Sequence, residues 1–302
     1  VTARPAPGGP GSPSGPRERA RQVAQRVAVT AGDGWGQLSA SRRDPPDYLI
    51  VGAQRCGTTS LFKTLAQHPG VVRPRWHKGV HYFDTGYHHG PRWYRGHFPT
   101  RAQRSAAERR LGYPPLSGES SPYYLFHPLA AARIAADLPR TRLLVTLRDP
   151  VERAYSAHSH ERGKGFEDLP FEEALAAEPG RIAGEAERLA ADPTAASFHL
   201  QHHAYLTRGH YLPQLERLAA AVGRDRMLVI DAGDFFVDPE PVYARVLDFL
   251  GLPPAPGTVF EKHNSRARSP LSAARAEQLA DQFAADDEGL VAWLGATPSW
   301  RR

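Results

Sequence analysis

The sequence predicts an α/β fold in three layers, a central parallel sheet flanked by helices on both faces. Three short apolar runs carry this reading: "YLIVGA" (48–53), "RLLVTL" (142–147) and "RMLVI" (226–230), each followed by a stretch with helical spacing. Strands alternating with helices bury a parallel sheet on both sides. Ligands of such sheets bind beyond the carboxyl ends of the strands, so the residues after Ala53, Leu147 and Ile230 are the first candidates for a site.

Residues 1–44 open with "ARPAPGGPGSPSGP", whose proline and glycine leave no apolar periodicity, and are expected to form a flexible leader. A single domain is expected over 45–302. After the first strand, "TTSLFKTLAQHPG" has the spacing of a helix that stops at Pro69-Gly70. After the second, Asp149 caps a helix that carries Pro150 at its first position. After the third, Asp231 precedes a helical "DPEPVYARVLDFLGL" ending at Gly251. The segments 171–191 and 203–222 read as long amphipathic helices, and "SPLSAARAEQLADQFAADDEGLVAWLG" as a terminal helical cap.

The 302 residues are 41% hydrophobic, enough to bury a sizeable core. A net charge of +6 and a pI near 9.6 favour an anionic ligand. The arginines are spread along the chain rather than gathered in one block, so nucleic acid is not the expected partner. Lys63, Lys78, Lys164 and Lys262 are the only lysines, a bias that reads as mutational. Cys56 is the only cysteine, which rules out an internal disulfide and a thiolate zinc cluster. No stretch reaches the ~20 apolar residues of a membrane span, and the N-terminus lacks a signal peptide's apolar core. A soluble, cytoplasmic protein is the expectation.

The turn "GAQRCGTTS" has the glycine spacing of a Walker A loop, but Thr58 stands where the lysine belongs. Backbone N–H groups of Cys56, Gly57, Thr58, Thr59 and Ser60 can wrap an anion at a helix N-terminus. Arg55 is the cation closest to it in sequence, with a fork suited to a tetrahedral oxyanion. The second strand ends in Arg148, where a Walker B strand would end in a carboxylate, and Ser156 lies two helical turns on. Together these make a second anion site beside the first. The rival is "MLVID", whose Asp231 has Walker B appearance and would suit a kinase or NTPase holding Mg²⁺. A non-catalytic nucleotide-binding protein is the other alternative.

Two anion sites on adjacent strands fit a nucleotide phosphorylated at both its 5′ and 3′ positions. The ordered set "IVGAQRCGTTSL", "KGVHYFD", "GESSPYY" and "LRDPVERAYSAH" resembles the sulfotransferases that use 3′-phosphoadenosine 5′-phosphosulfate (PAPS), most closely the heparan sulfate and carbohydrate branch in its bacterial type. The likeness spans roughly residues 47–270. It implies a P-loop-like fold and sulfuryl transfer from PAPS to an acceptor hydroxyl, with adenosine 3′,5′-bisphosphate (PAP) released and no metal required. It assigns Arg55 through Ser60 to the 5′-phosphosulfate and Arg148 with Ser156 to the 3′-phosphate. In the late stretch "EKHNSRARSPLS", Arg266 and Arg268 match a basic loop that closes over the 3′-phosphate.

The chain departs from that pattern in two places. Arg55 stands where the family usually has lysine; it keeps the positive charge and can still stabilise charge developing on the bridging oxygen and the sulfuryl group, but it cannot donate a proton. Gly79 stands where the heparan branch usually carries its glutamate base, in K-E-x-H-F-F-D. His81 is the first candidate to replace it, since an unperturbed pKa of about 6.5 suits proton removal near neutrality, with Asp84 orienting it. Glu119 is the second, and Lys78 adds charge near the cleft. The family's frequent lysine at Ser120 is absent. Trp76, Trp93 and Tyr123 offer aromatic faces with polar tips for a sugar or another polyhydroxylated acceptor, and Asp84 is a further acceptor contact. A metal reading of His77, His81, His88 and His89 is set aside, because Gly79 and the aromatic run do not build a helix with one histidine face.

Overall fold

Four parallel strands form the sheet: β1 (Tyr48–Gly52), β2 (Gly118–Ser120), β3 (Arg142–Leu147) and β4 (Met227–Asp231), in the spatial order β2-β1-β3-β4. The computed structural model describes residues 36–74, 78–263 and 270–302. β1, β3 and β4 are the three expected strands; β2 is an addition. Its three residues are too few to show a period, and Gly118 is there because a Cβ would lie 2.4 Å from the Tyr48 carbonyl oxygen.

Alternation along the strands divides the core in two. Leu49, Val51, Leu143 and Val145 pack under helices α4 (Ala130–Asp137), α9 (Tyr211–Val222) and α13 (Ala284–Leu294), through Ile134, Leu215, Leu218 and Leu290. Tyr48, Ile50, Leu144 and Ile230 pack on the other face against α1 (Thr58–Leu65) and α11 (Pro239–Leu250), through Leu61, Leu65, Val246 and Leu250. Each such side chain, withdrawn from water, contributes about 1.5–3 kcal/mol. These two faces make the helix–sheet–helix layering that the apolar runs predicted.

Between these lie α2 (Gly90–Arg95), α3 (Arg101–Leu111), α5 (Pro150–Arg162), α6 (Phe171–Ile182), α7 (Glu185–Ala191), α8 (Phe198–His202), α10 (Ala232–Val237) and α12 (Ala273–Asp281). The single helix expected over 171–191 is two, because Gly184 at φ 70° turns the chain before α7. The helix expected from 203 begins only at Tyr211. The boundary expected at residue 44 also moves. Ala40 and Arg43 are buried, Arg43 donates to the Phe98 carbonyl and to Ser39 Oγ (2.9 Å), and Gly36 lies against the Gly96 backbone. Residues 36–44 therefore belong to the folded unit; residues 1–35 of the expected leader lie outside the described residues.

The chain leaves β1 for β2 on one side and β3 for β4 on the other. The β1/β3 junction is thus the switch point at which loops diverge and a crevice opens. Among the described residues, no helix is long and apolar enough to cross a membrane.

Candidate active site

A cavity of about 500 Å³ occupies that crevice, lined by the loop after β1, the start of α5, the 78–81 segment and residues 120–123. The loop is shaped by Gly57 at φ 82°, where a Cβ would also meet the Phe236 ring at 2.9 Å; glycine satisfies both constraints. α1 starts at Thr58, and its first i→i−4 bond runs from the Leu61 amide to the Gly57 carbonyl at 3.1 Å. The amides of Thr58, Thr59 and Ser60 precede that bond and are the donors a helix start offers to an anion.

Two members of the predicted loop play supporting parts. Cys56 donates its amide to the Ala53 carbonyl (3.2 Å), and its fully buried thiol lies 3.6 Å from the Tyr211 hydroxyl. Burial holds that thiol above its usual pKa, so it is a core residue rather than an anion contact. Ser60 Oγ is buried and accepts the His263 amide at 2.9 Å, which ties the 260s segment to the loop.

Lys78 sets an ammonium beside position 58, where the Walker lysine is missing. Its Nζ donates to Thr59 Oγ1 at 2.7 Å and reaches Thr58 Oγ1 at 3.4 Å. Burial, joined by the positive charges of Arg55 and Lys63, pulls its pKa down to about 8 against the attraction of Glu119. Arg55, at φ 69°, turns toward α5 and donates from Nε to Ser156 Oγ at 3.0 Å. Arg148 reaches the Arg55 carbonyl (3.4 Å) and pairs with Glu152 (3.1 Å). The two predicted anion sites are therefore contiguous, joined by the Arg55–Ser156 bond. Asp149 caps α5 by accepting the amides of Val151 (2.7 Å) and Glu152 (3.1 Å), which aims Glu152, Ser156 and His160, one turn apart, into the cleft.

His81 opens into the same cavity. Its Nδ1 lies 2.8 Å from Asp84 Oδ2, so Nδ1–H donates to the carboxylate and Nε2 keeps its lone pair. Burial alone would lower the imidazole pKa, but the hydrogen bond and charge of Asp84 outweigh it and raise the value. Asp84 is buried beneath His81 and lines no part of the cavity, so its place is as the orienting partner and not as an acceptor contact.

Glu119 is displaced from its expected role. It is completely buried, and its carboxylate accepts the Val80 amide (3.1 Å) and the hydroxyls of Ser121 (2.6 Å), Tyr124 (2.7 Å) and Tyr94 (3.3 Å). Burial raises its pKa against those hydrogen bonds. It sits behind the cleft wall, where Ser121 links it to the His81 amide (2.9 Å). Gly79 has no room for a side chain, since a Cβ would lie 2.5 Å from the Ser120 carbonyl oxygen. Trp93 also falls outside the cavity, packed between His89 and His97 at ring distances of 4.5 and 4.4 Å. Tyr123 does line it. Trp76, Arg266 and Arg268 lie outside the described residues.

The sequence reading missed a polar group that lines the same cavity as His81. Gln54 donates to Glu161 Oε1 (3.3 Å) and accepts from Arg208, while His202 Nδ1 lies 2.9 Å from Glu161 Oε2. A continued i+4 count from Ser156 would have reached His160; nothing in the sequence marks Arg208 or His202. Asp231, the Walker B candidate, accepts the amides of Gly233 (2.7 Å) and Ser299 (2.6 Å) and the Ser299 hydroxyl (2.7 Å), and does not line the cavity. Among the described residues, no group of three His, Cys, Asp or Glu is placed to hold a metal.

Residues 45–279 match the family model described as the sulfotransferase domain. The heparan sulfate glucosamine 3-O-sulfotransferase 3A1 of Mus musculus is 30% identical over 251 residues, covering 82% of this chain and 53% of that protein. The bifunctional heparan sulfate N-deacetylase/N-sulfotransferase 4 of the same species is 26% identical over 232 residues, 69% of this chain but only 22% of its own length. A sulfotransferase from Alicyclobacillus acidocaldarius superposes with a TM-score of 0.61 at 28% identity, covering 86% of this chain and all of that one. The chain thus belongs to the sulfotransferase family, whose members take their sulfuryl group from PAPS.

Proposed function

We propose that this cleft transfers the sulfuryl group of PAPS to a hydroxyl of a carbohydrate or similarly polyhydroxylated acceptor. The observation that carries the reading is the convergence of Lys78 on Thr58 and Thr59, beside Arg148 and Ser156, with the His81–Asp84 pair opening into the same cavity. The α1 amides and Lys78 hold the 5′-phosphosulfate, and Arg148 with Ser156 holds the 3′-phosphate; Arg55, which the resemblance gives to the 5′-phosphosulfate, is bonded to Ser156 and in this reading joins the 3′-phosphate contacts instead. His81 Nε2 takes the acceptor proton as the acceptor oxygen bonds to sulfur and the bond from sulfur to the 5′-phosphate oxygen breaks, leaving PAP. Lys78 and the amides stabilise the charge that gathers on that leaving oxygen. Positioning of the two substrates supplies much of the remaining rate. The names of the two Mus musculus relatives support a saccharide acceptor.

The test is transfer of radiolabel from PAPS into an oligosaccharide panel. Label appearing in product with wild type, and about a hundredfold slower with His81→Ala, supports the reading. Unchanged turnover in His81→Ala would remove His81 as the base. The bonds that occupy Asp231 speak against the kinase alternative.

A further inference from the structure

Glu119 is a buried carboxylate that the proposed chemistry does not use, and most of the bonds it accepts lead to one short stretch of chain. The Val80 amide donates to its Oε2 directly, at 3.1 Å. The next amide, that of His81, donates to Ser121 Oγ (2.9 Å), whose hydroxyl donates to the same Oε2 (2.6 Å). The amide after that, of Tyr82, donates to Tyr124 Oη (2.8 Å), whose hydroxyl donates to Oε1 (2.7 Å). Three consecutive amides thus end on one carboxylate, one directly and two through hydroxyl relays. Glu119, Ser121 and Tyr124 are all fully or almost fully buried, and buried bonds to a charged acceptor are costly to break.

The stretch so held is one that the backbone does not adopt by preference. His81 stands at φ 55°, in the left-handed region that a residue with a side chain seldom occupies, and such a conformation persists only where its surroundings over-determine it. The Gly86 amide secures the other side of the residue, donating to the His81 carbonyl at 2.8 Å. In this conformation the His81 ring meets Asp84 and lines the cavity.

We propose that Glu119 is a positioning residue of the reaction, which acts through Ser121 and Tyr124 to hold residues 80–82 in the conformation that sets the His81 imidazole on Asp84 and in the cleft. The inference rests on the reading of His81 as the base. It gives the carboxylate of "GESSPYY" a part that involves no proton transfer, and makes the serine and tyrosine that follow it the relays.

Ser121→Ala and Tyr124→Phe each cut one relay, add no bulk and change no charge, so Asp84, Glu119 and Lys78, the charged groups that act on His81, stay in place. Two readouts follow His81 rather than the fold. The titration of its ring, followed by NMR and assigned by its loss in His81→Ala, is expected to move to lower pH in both variants as the pairing with Asp84 loosens. Turnover of PAPS with the best-labelled oligosaccharide of the panel is expected to fall about fivefold in each, what one hydrogen bond contributes, with PAP affinity unchanged. In the His81→Ala background the same substitutions are expected to cost nothing further. Glu119→Gln, which sets a donor among donors, is expected to combine both losses; where it does not fold, the relay variants decide. Wild-type titration and turnover in both relay variants overturn the proposal, as does a matching loss of PAP affinity or a further slowing in the His81→Ala background, the marks of a merely structural role. Unchanged turnover in His81→Ala instead overturns the base reading on which the proposal stands.

Discussion

Lys78 and His81 stand three positions apart and face opposite tasks, and each has a pH signature. Lys78, with its pKa drawn down to about 8, is increasingly neutral in the free enzyme above that pH, while a bound phosphosulfate favours its charged form. PAP affinity is therefore expected to fall as pH rises beyond about 8, with proton uptake on binding. Calorimetry in buffers of different ionisation enthalpy measures both, and affinity flat from pH 7 to 9.5 would remove Lys78 from the site. His81 must be neutral to accept a proton, so turnover rises with pH through its pKa, which Asp84 raises. Asp84→Asn is expected to move that rise to lower pH and to reduce the maximal rate, because the ring loses its orienting partner. A pH profile that keeps its position in Asp84→Asn would contradict the pairing.

Gly79 belongs to the same scale. The missing glutamate is enforced by the backbone of Ser120, 2.5 Å from where a Cβ would stand. Restoring the side chain with Gly79→Glu is expected to cost about 1–3 kcal/mol in urea unfolding and to yield no faster transfer. A faster, equally stable variant would show that the segment adapts.

At the scale of elements, the sequence made the units with clear punctuation legible. β1, β3 and β4 showed as apolar runs, and Asp149-Pro150 marked the start of α5, because caps and strand cores are local chemistry. β2 was hidden because three residues carry no period, and the break before α7 because a positive φ at Gly184 is invisible to an apolar count. The cap is also a means of aiming. Asp149→Ala is expected to lower stability by about 1 kcal/mol and to weaken PAP binding, since it loosens the turn that presents Arg148 and Ser156. Melting and PAP titration of that variant check the two effects separately.

Across the whole molecule, the cleft is a consequence of topology. The loops after β1 and β3 diverge at the switch point, and the cavity forms where the two leave each other. The residues next to those strands in sequence, Arg55, Thr58, Thr59, Arg148 and Ser156, were therefore readable from spacing. Gln54, Glu161, His202 and Arg208 were not, because they meet only when α5, the end of α8 and the turn at Thr207–Gly209 come together beside the loop. Glu119 misled for the complementary reason: a carboxylate in a site motif looks catalytic until four donors are found around it.

The account stands or falls on a nucleotide with single phosphates at two positions, and metal-free thermal unfolding tests that most directly. A ligand bound only by the folded state at a hundred times its Kd adds about 2.7 kcal/mol to stability. PAP in the presence of a chelator is expected to raise Tm by several degrees, and Arg148→Ala to abolish most of the rise. A larger shift with ATP and Mg²⁺ than with PAP, or none with PAP, would contradict the account.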